Sequence, residues 1–307
     1  MNNPSDISVI IPVRNEGTRL VEAIDSLVSG RSCSFDLEVV VIDDASDDGC
    51  CLNLSKSNWT RKGHVVIRVI RLPKWSGIPY ARNVGASAAQ GRILFITDAN
   101  VIFPRNWDIP IQHEIRSDNA LCAAIADPSS SFVGYGCVLQ IPSMGVSWLR
   151  NPYAYQGHVP VAPCGATIIS ANLFRKLGGY DLGLPLYGAA EPEFSVRLWL
   201  SGSEIKVLPD LILLHHFKTR KRHLAFLEGI EDVLIRNYIR FGLLYLDNPE
   251  AVRMLRFYAA KRSPHHFRGM LLDVVQRGVW ERRDRLKSTL EYDFGAFLRR
   301  FPNICAA

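Results

Sequence analysis

Apolar and polar residues divide the first hundred positions into strand-sized and helix-sized blocks. Ile7 to Val13 is a near-continuous apolar run, as a strand buried on both faces should be. Arg14-Asn15-Glu16-Gly17 interrupts it, and Leu20, Val21, Ile24, Leu27 and Val28 then recur at helical spacing within residues 18–28. Leu37 to Ile42 predicts a second strand, ending in the acidic run Asp43-Asp44-Ala45-Ser46-Asp47-Asp48-Gly49. Val65 to Leu72, just after His64, predicts a third, Tyr80 to Ala89 a helix of small residues, and Arg92 to Thr97 a fourth strand. Alternation of strand and helix with short connections predicts an α/β fold: a mostly parallel central sheet, right-handed crossovers and flanking helices. Ligands of such sheets bind beyond the carboxyl ends of the strands. Glu16, Asp43, Asp44 and Asp98 all fall there.

The fourth strand stops abruptly at Asp98, with a second side-chain oxygen at Asn100. Residues two apart on an extended segment point to the same side. The pair therefore offers two hard oxygen ligands to one divalent cation, which suits a metal that also holds a diphosphate. Asp43 and Asp44 can accept hydrogen bonds from a uracil N–H or from ribose hydroxyls. The same run also suits a turn with Ser46 or Asp47 as a helix N-cap, and the two arrangements can coexist. Arg82 sits in the helix opened by Gly77. Its planar fork of donors suits a phosphate or base edge, or a salt bridge to Asp98 or Asp43. Trp148, Tyr153, Tyr155 and His158 lie in a stretch rich in Pro, Tyr and Gly, and offer rings either to a sugar face or to packing.

Six segments, taken in order, resemble the family-2 glycosyltransferases. They are Ile10-Ile11-Pro12-Val13-Arg14-Asn15-Glu16, Val41 to Asp48, Gly77 to Gly85, Thr97 to Asn100, Gly178-Gly179-Tyr180-Asp181, and Ala190 to Trp199. The resemblance covers residues 6–220 and extends in part to the polypeptide N-acetylgalactosaminyltransferases. It implies the Rossmann-like GT-A fold over residues 1–221, a UDP-sugar donor and a divalent metal, Mn2+ or Mg2+. It implies a nucleotide-sugar site made of Pro12, Val13, Arg14, Glu16, Asp43, Asp44, Arg82, Asp98, Ala99 and Gly165, with the small residues around Gly165 letting the backbone approach the donor sugar. It implies a metal site of Asp98, Asn100 and His215. His216 is the alternative to His215, since neighbours on a strand face opposite ways. Aligning Glu193 and Arg197 with the family pattern puts Glu191 on the acidic position that carries the general base in inverting members. The other reading of Glu191 is a helix N-terminal carboxylate beside Pro192. Glu193 and Arg197, four apart, are expected to pair with each other or with neighbouring loops. Two departures stand out. Asn100 replaces an Asp or His and brings less charge to a metal, and Ala190 replaces the first acid of the pattern.

Composition narrows the class. The chain has 307 residues, 48% of them hydrophobic, and no apolar stretch approaching the roughly 20 residues of a membrane span. Residues 1–6 do not read as a signal peptide. Cys33, Cys50, Cys51, Cys122, Cys137, Cys164 and Cys305 are odd in number and show no metal-ligand spacing, so reduced thiols and a cytoplasmic location are expected. From His215 onward 18 Lys and Arg face 10 Asp and Glu, a net +8 against +6 for the whole chain. Residues 222–307 predict a basic helical extension with breaks near Asp247-Asn248-Pro249 and Ser263-Pro264, and with His265-His266 on the surface. Its Arg face is solvated, or makes a peripheral contact with anionic lipid. No nucleic-acid readout motif accompanies the basic charge, and no nucleic acid is expected as a partner.

The resulting expectation is a metal-assisted transferase. It moves a hexose or N-acetylhexosamine from a UDP-sugar to an acceptor hydroxyl or thiol, with inversion through Glu191. A peptide, protein or natural product stands ahead of a glycan or lipid-linked sugar as acceptor. The alternatives are a retaining transferase and a catalytically inactive sugar-nucleotide-binding or scaffold protein.

Overall fold

The computed structural model describes residues 6–32, 36–52, 54, 59 and 65–302. Cys33, His64 and Cys305 lie outside them. The sheet is built from β1 (Ile7–Val13), β2 (Leu37–Asp43), β3 (Val65–Arg71), β4 (Ile93–Thr97), β5 (Val101–Ile102), β6 (Asn119–Ala126), β7 (Val133–Gly134), β10 (Ala166–Ser170) and β11 (Glu204–His215). Its order is β3-β2-β1-β4-β10-β6-β11-β5, with β7 beside β6. β8 (Cys137–Gln140) and β9 (Gly145–Trp148) form a separate hairpin.

The first half is parallel as expected: β1 pairs in register with β2 and β4, and β2 with β3. The second half is mixed. β10 runs antiparallel between β4 and β6, while β6 and β11 are parallel. Every residue of β1 and β2 is buried. Alternate side chains enter two apolar clusters on opposite faces of the sheet. Ile10, Val40 and Ile42 face one, and Val9, Ile11, Val39 and Val41 the other. Each such Val or Ile contributes about 1.5–3 kcal/mol by leaving water.

α1 (Arg19–Gly30) covers one face and α2 (Ile78–Ala88) the other. α2 starts at Ile78, with Pro79 in its first turn, two residues earlier than the small-residue pattern suggests. Gly85 lets it lie on β1, because a Cβ there would collide with Ile10. The remaining helices are α3 (Ile109–Glu114), α4 (Ala171–Lys176), α5 (Ala190–Leu200), α6 (Arg220–Gly229), α7 (Glu231–Tyr245), α8 (Asn248–Ala259), α9 (Pro264–Gln276), α10 (Val279–Thr289) and α11 (Phe294–Arg300). The breaks expected near Asp247 and Ser263 are helix starts. Asp247 accepts from the Glu250 amide at 3.0 Å, and Ser263 from the His266 amide at 3.3 Å. None of the described helices is long and apolar enough to cross a membrane.

The C-terminal helices share a core with the sheet. Ile235, Ile239, Phe241, Met254, Val274 and Phe301 belong to the same apolar cluster as Ile10 and Val40. α7 also braces the loop before α5. Asn237 Nδ2 donates to the carbonyls of Pro185 and Tyr187 at 2.8 and 2.9 Å, and Arg240 Nε to Asp181 Oδ2 at 2.8 Å. Burial alone would raise the Asp181 carboxyl, but the hydrogen bond and charge of Arg240 outweigh it and hold it below the ordinary aspartate range. A depressed folded-state value stabilises above the unfolded pKa of about 3.9 and loses that stabilisation as pH falls through the folded value. Asp181→Asn is therefore expected to cost roughly 2 kcal/mol near neutral pH and progressively less below pH ~3. Urea unfolding of both proteins at the two pH values measures this, and a pH-independent gap would assign the loss to packing.

Candidate active site

A cavity of about 740 Å³ opens over the carboxyl ends of β1, β2 and β4, where the switch in chain direction leaves room. Pro12, Val13, Arg14, Glu16, Asp44, Asp98, Ala99, Asn100 and His215 line it. Nine of the sequence-derived site residues thus meet on one wall.

Asp98 follows the last residue of β4 and is the electrostatic centre. Its Oδ1 accepts from Arg82 Nη2 at 3.1 Å, and its Oδ2 lies 3.7 Å from His215 Nε2. Burial pushes the carboxyl up, but the neighbouring His215 and the Arg82 charge together bring it down to about 2. The group is ionised throughout the physiological range. Gly165, at φ +72°, passes against it: a Cβ there would stand 2.5 Å from Asp98 Oδ2. Only glycine combines that backbone angle with that approach.

Asn100 is fixed by donating through Nδ2 to the His216 carbonyl at 2.9 Å, and its own carbonyl accepts from the His216 amide at 2.9 Å. This pairing turns the His216 backbone to Asn100 and the His215 ring to the cavity, which separates the two histidines. Among the described residues no three His, Cys, Asp or Glu side chains form a metal-binding group. Asp98 and His215 nevertheless face one another across the cavity wall, and the Asn100 amide oxygen carries no hydrogen bond from the described residues. That set fits a hard divalent cation whose other ligands are water or phosphate oxygens. His215 Nδ1 is buried without a hydrogen-bond partner among the described residues, so no hydrogen bond from them orients the ring from that side.

Arg82 occupies a different place from a direct phosphate ligand. It is fully buried and absent from the cavity wall. Its Nη1 pairs with Glu191 Oε1 while Nη2 holds Asp98. The salt-bridge reading is the observed one, with Glu191 as a second partner. Glu191 itself lies in the first turn of α5, behind the wall, its side chain 13% exposed. Asp43 is also behind the wall, paired with Arg71 and accepting the Ser46 amide at 2.8 Å. That contact closes a turn. The described residues show no α-helix starting at Ser46 or Asp47, so the N-cap expectation is corrected. Asp44 is the carboxylate that reaches the cavity, held by the Ser76 and Gly77 amides at 2.7 and 2.8 Å.

Of the four rings considered for sugar contact, only Trp148 lines the cavity, beside Phe217. Tyr155 packs on Phe301, His158 pairs with Glu204, and Tyr153 points to solvent. Glu193 and Arg197 pair as their spacing predicts. Sequence reasoning missed Trp75, Leu186, Tyr187, Phe217, Lys218 and Phe226 on the wall. Lys218 pairs with Glu16 at 3.1 Å across 202 positions of chain, which no local pattern reveals.

A family model described as "Glycosyl transferase family 2" matches residues 8–178, more than half of the chain. The human polypeptide N-acetylgalactosaminyltransferase 13 is 25% identical over 259 residues, covering 78% of this chain and 46% of the relative. Polypeptide N-acetylgalactosaminyltransferase 8 of Drosophila melanogaster is 28% identical over 269 residues, covering 80% and 45%. The chain thus spans about half the length of these relatives. The crystal structure of GalNAc-T7 with UDP, GalNAc and Mn2+ superposes with a TM-score of 0.73 at 21% identity, covering 98% of this chain and 57% of that one. S. aureus TarS 1-349 in complex with UDP-GlcNAc gives 0.57 at 18% identity, covering 92% and 83%. These likenesses show the GT-A fold.

Proposed function

Because the chain belongs to glycosyl transferase family 2, we propose that it transfers an N-acetylhexosamine or hexose from a UDP-sugar to a hydroxyl of an acceptor, a peptide side chain first among the candidates. The convergence of Asp98, Asn100 and His215 on the cavity wall, with Asp44 at its nucleotide end, carries this reading. The relatives named polypeptide N-acetylgalactosaminyltransferases, and the likeness to a structure holding UDP, GalNAc and Mn2+, support the donor and the metal. The apolar rim of Val146, Trp148, Tyr187, Phe217 and Phe226 suits an acceptor with apolar surface.

Asp98, His215 and the Asn100 amide oxygen would hold Mn2+ or Mg2+, which when bound offsets charge on the diphosphate as the anomeric bond breaks. Arg82 holds one oxygen of the Asp98 carboxylate, and Gly165 passes close to the other. Asp44 receives the nucleotide end, its orientation set by two backbone amides.

The carboxylates of the wall are all engaged. Glu16 pairs with Lys218, Asp44 takes two amides, and Asp98 faces Arg82 and His215. Glu191 is tied to Arg82 behind them. With Asp44 assigned to the nucleotide, Asp98 to the metal and Glu16 paired with Lys218, this reading gives the hydroxyl proton to the departing phosphate oxygen. The C1–phosphate bond then breaks as the C1–acceptor bond forms on the same face, with retention. Glu191 acts in this reading as a positioning residue for Arg82. The inverting reading keeps Glu191 as base and rests on its partly exposed side chain.

The test is transfer from a panel of UDP-, GDP- and dTDP-sugars to Ser- and Thr-containing peptides, with and without Mn2+. Released nucleotide is quantified, and the anomeric configuration of the product is read by NMR. Metal-dependent UDP release with a retained anomer is expected. Glu191→Gln should lower kcat ~10-fold with UDP affinity kept, whereas loss of a true base costs roughly 10²–10⁴-fold. An inverted product would restore Glu191 as base. Failure of the wild-type protein to bind UDP calorimetrically would remove the donor assignment.

A further inference from the structure

Trp75 is 39% exposed and lies on the wall of the cavity. It lies in Pro73-Lys74-Trp75-Ser76, outside every strand and helix. Its position is nonetheless rigidly set. The two residues after it give their amides to the Asp44 carboxylate at 2.7 and 2.8 Å. The Arg14 guanidinium stands 5.1 Å from its ring centroid and is itself pinned to the Asp44 and Ala45 carbonyls at 2.7 and 2.6 Å. Arg14 therefore covers one face of the indole, and no ring of the described residues packs on the other. A flat apolar surface held beside a fixed carboxylate is what a planar heterocycle needs: stacking for its face and an acceptor for its edge.

We propose that the exposed part of the Trp75 ring, on the cavity wall, is the stacking platform for the donor nucleobase. The proposal rests on the nucleotide-sugar reading of this cavity and adds a residue outside the motifs that suggested that reading. Stacking is indifferent to the base edge, since every base has a π-face. Trp75 then supplies affinity for the nucleoside half of the donor, and discrimination between bases falls to Asp44 and its neighbours.

The test measures binding of UDP, GDP and inorganic pyrophosphate, each with Mn2+, to the wild-type protein, Trp75→Ala and Trp75→Phe by calorimetry. UDP quenching of tryptophan emission is followed in parallel. Trp75→Ala is expected to raise the UDP and GDP Kd values by the same factor, roughly tenfold, with pyrophosphate unchanged. Trp75→Phe, which keeps a ring, should recover most of the affinity and lose the part of the quenching that Trp75 contributes beside Trp148. Equal UDP affinity in wild type and Trp75→Ala would overturn the proposal while leaving the donor reading intact. Equal loss of UDP and pyrophosphate would overturn it in favour of a structural role for Trp75. No nucleotide binding by the wild-type protein would overturn the donor reading and the proposal together.

Discussion

Asp98→Asn is expected to reduce transfer by roughly 10³-fold or more and to abolish Mn2+-dependent UDP binding. The substitution keeps shape and removes charge. Asp98 is the only carboxylate of the proposed metal set, whose other members, Asn100 and His215, are an amide and an imidazole. With it neutralised, the site has no anion to draw a divalent cation out of water. The fold should tolerate the change, because Arg82 keeps Glu191 as a counter-charge. Calorimetry of UDP with and without Mn2+, beside a thermal melt, separates the two effects. Activity within tenfold of wild type, with a normal melt, would take Asp98 out of the metal site.

The largest stability effect is expected one helix away. Arg197 and Glu193 are 2% and 0% exposed, 2.7 Å apart, and the Tyr245 hydroxyl donates to Glu193 Oε1 at 2.7 Å. Arg197 also donates to the Gly179 carbonyl at 2.7 Å. The network joins α5 to α7 and to the Gly178-Gly179 turn. Glu193→Ala would leave a buried guanidinium and a buried phenol without their acceptor, at a cost of roughly 3–5 kcal/mol. Glu193→Gln keeps an oxygen for Tyr245 and should cost less. Urea unfolding provides the measure, and a loss below about 1 kcal/mol for the alanine variant would mean that water reaches Arg197.

The sequence disclosed what local pattern controls. β1, β2 and β4 are apolar runs too long and too pure to face water, and Asp98 and Asp44 announce themselves as charges at the ends of such runs. What needs three dimensions was hidden. Ala166 to Ser170 reads as a strand in either direction, so its antiparallel course was not legible. Arg82 has the same residue type whether it meets a phosphate or a carboxylate. The choice was made by Glu191, 109 positions away. Trp75 stands in a polar segment without period, and only the fixing of its neighbours by Asp44 gives it meaning. Tyr155 and His158 had the right chemistry for a sugar but are turned to Phe301 and Glu204.

The insertion of β10 between β4 and β6 has a consequence for the order in which the protein is made. While residues up to 126 leave the ribosome, β1, β2, β3 and β4 can pair through their parallel registers, but one edge of β4 stays bare until residues 166–170 arrive. A bare strand edge is a template for other chains. His215 comes later still, and Phe226 closes the wall after it. The cavity wall is thus complete only once residue 226 has been made, and a shorter nascent chain lacks part of it. Stalling or cleavage before residue 166 would release the parallel half of the sheet with its β4 edge unprotected.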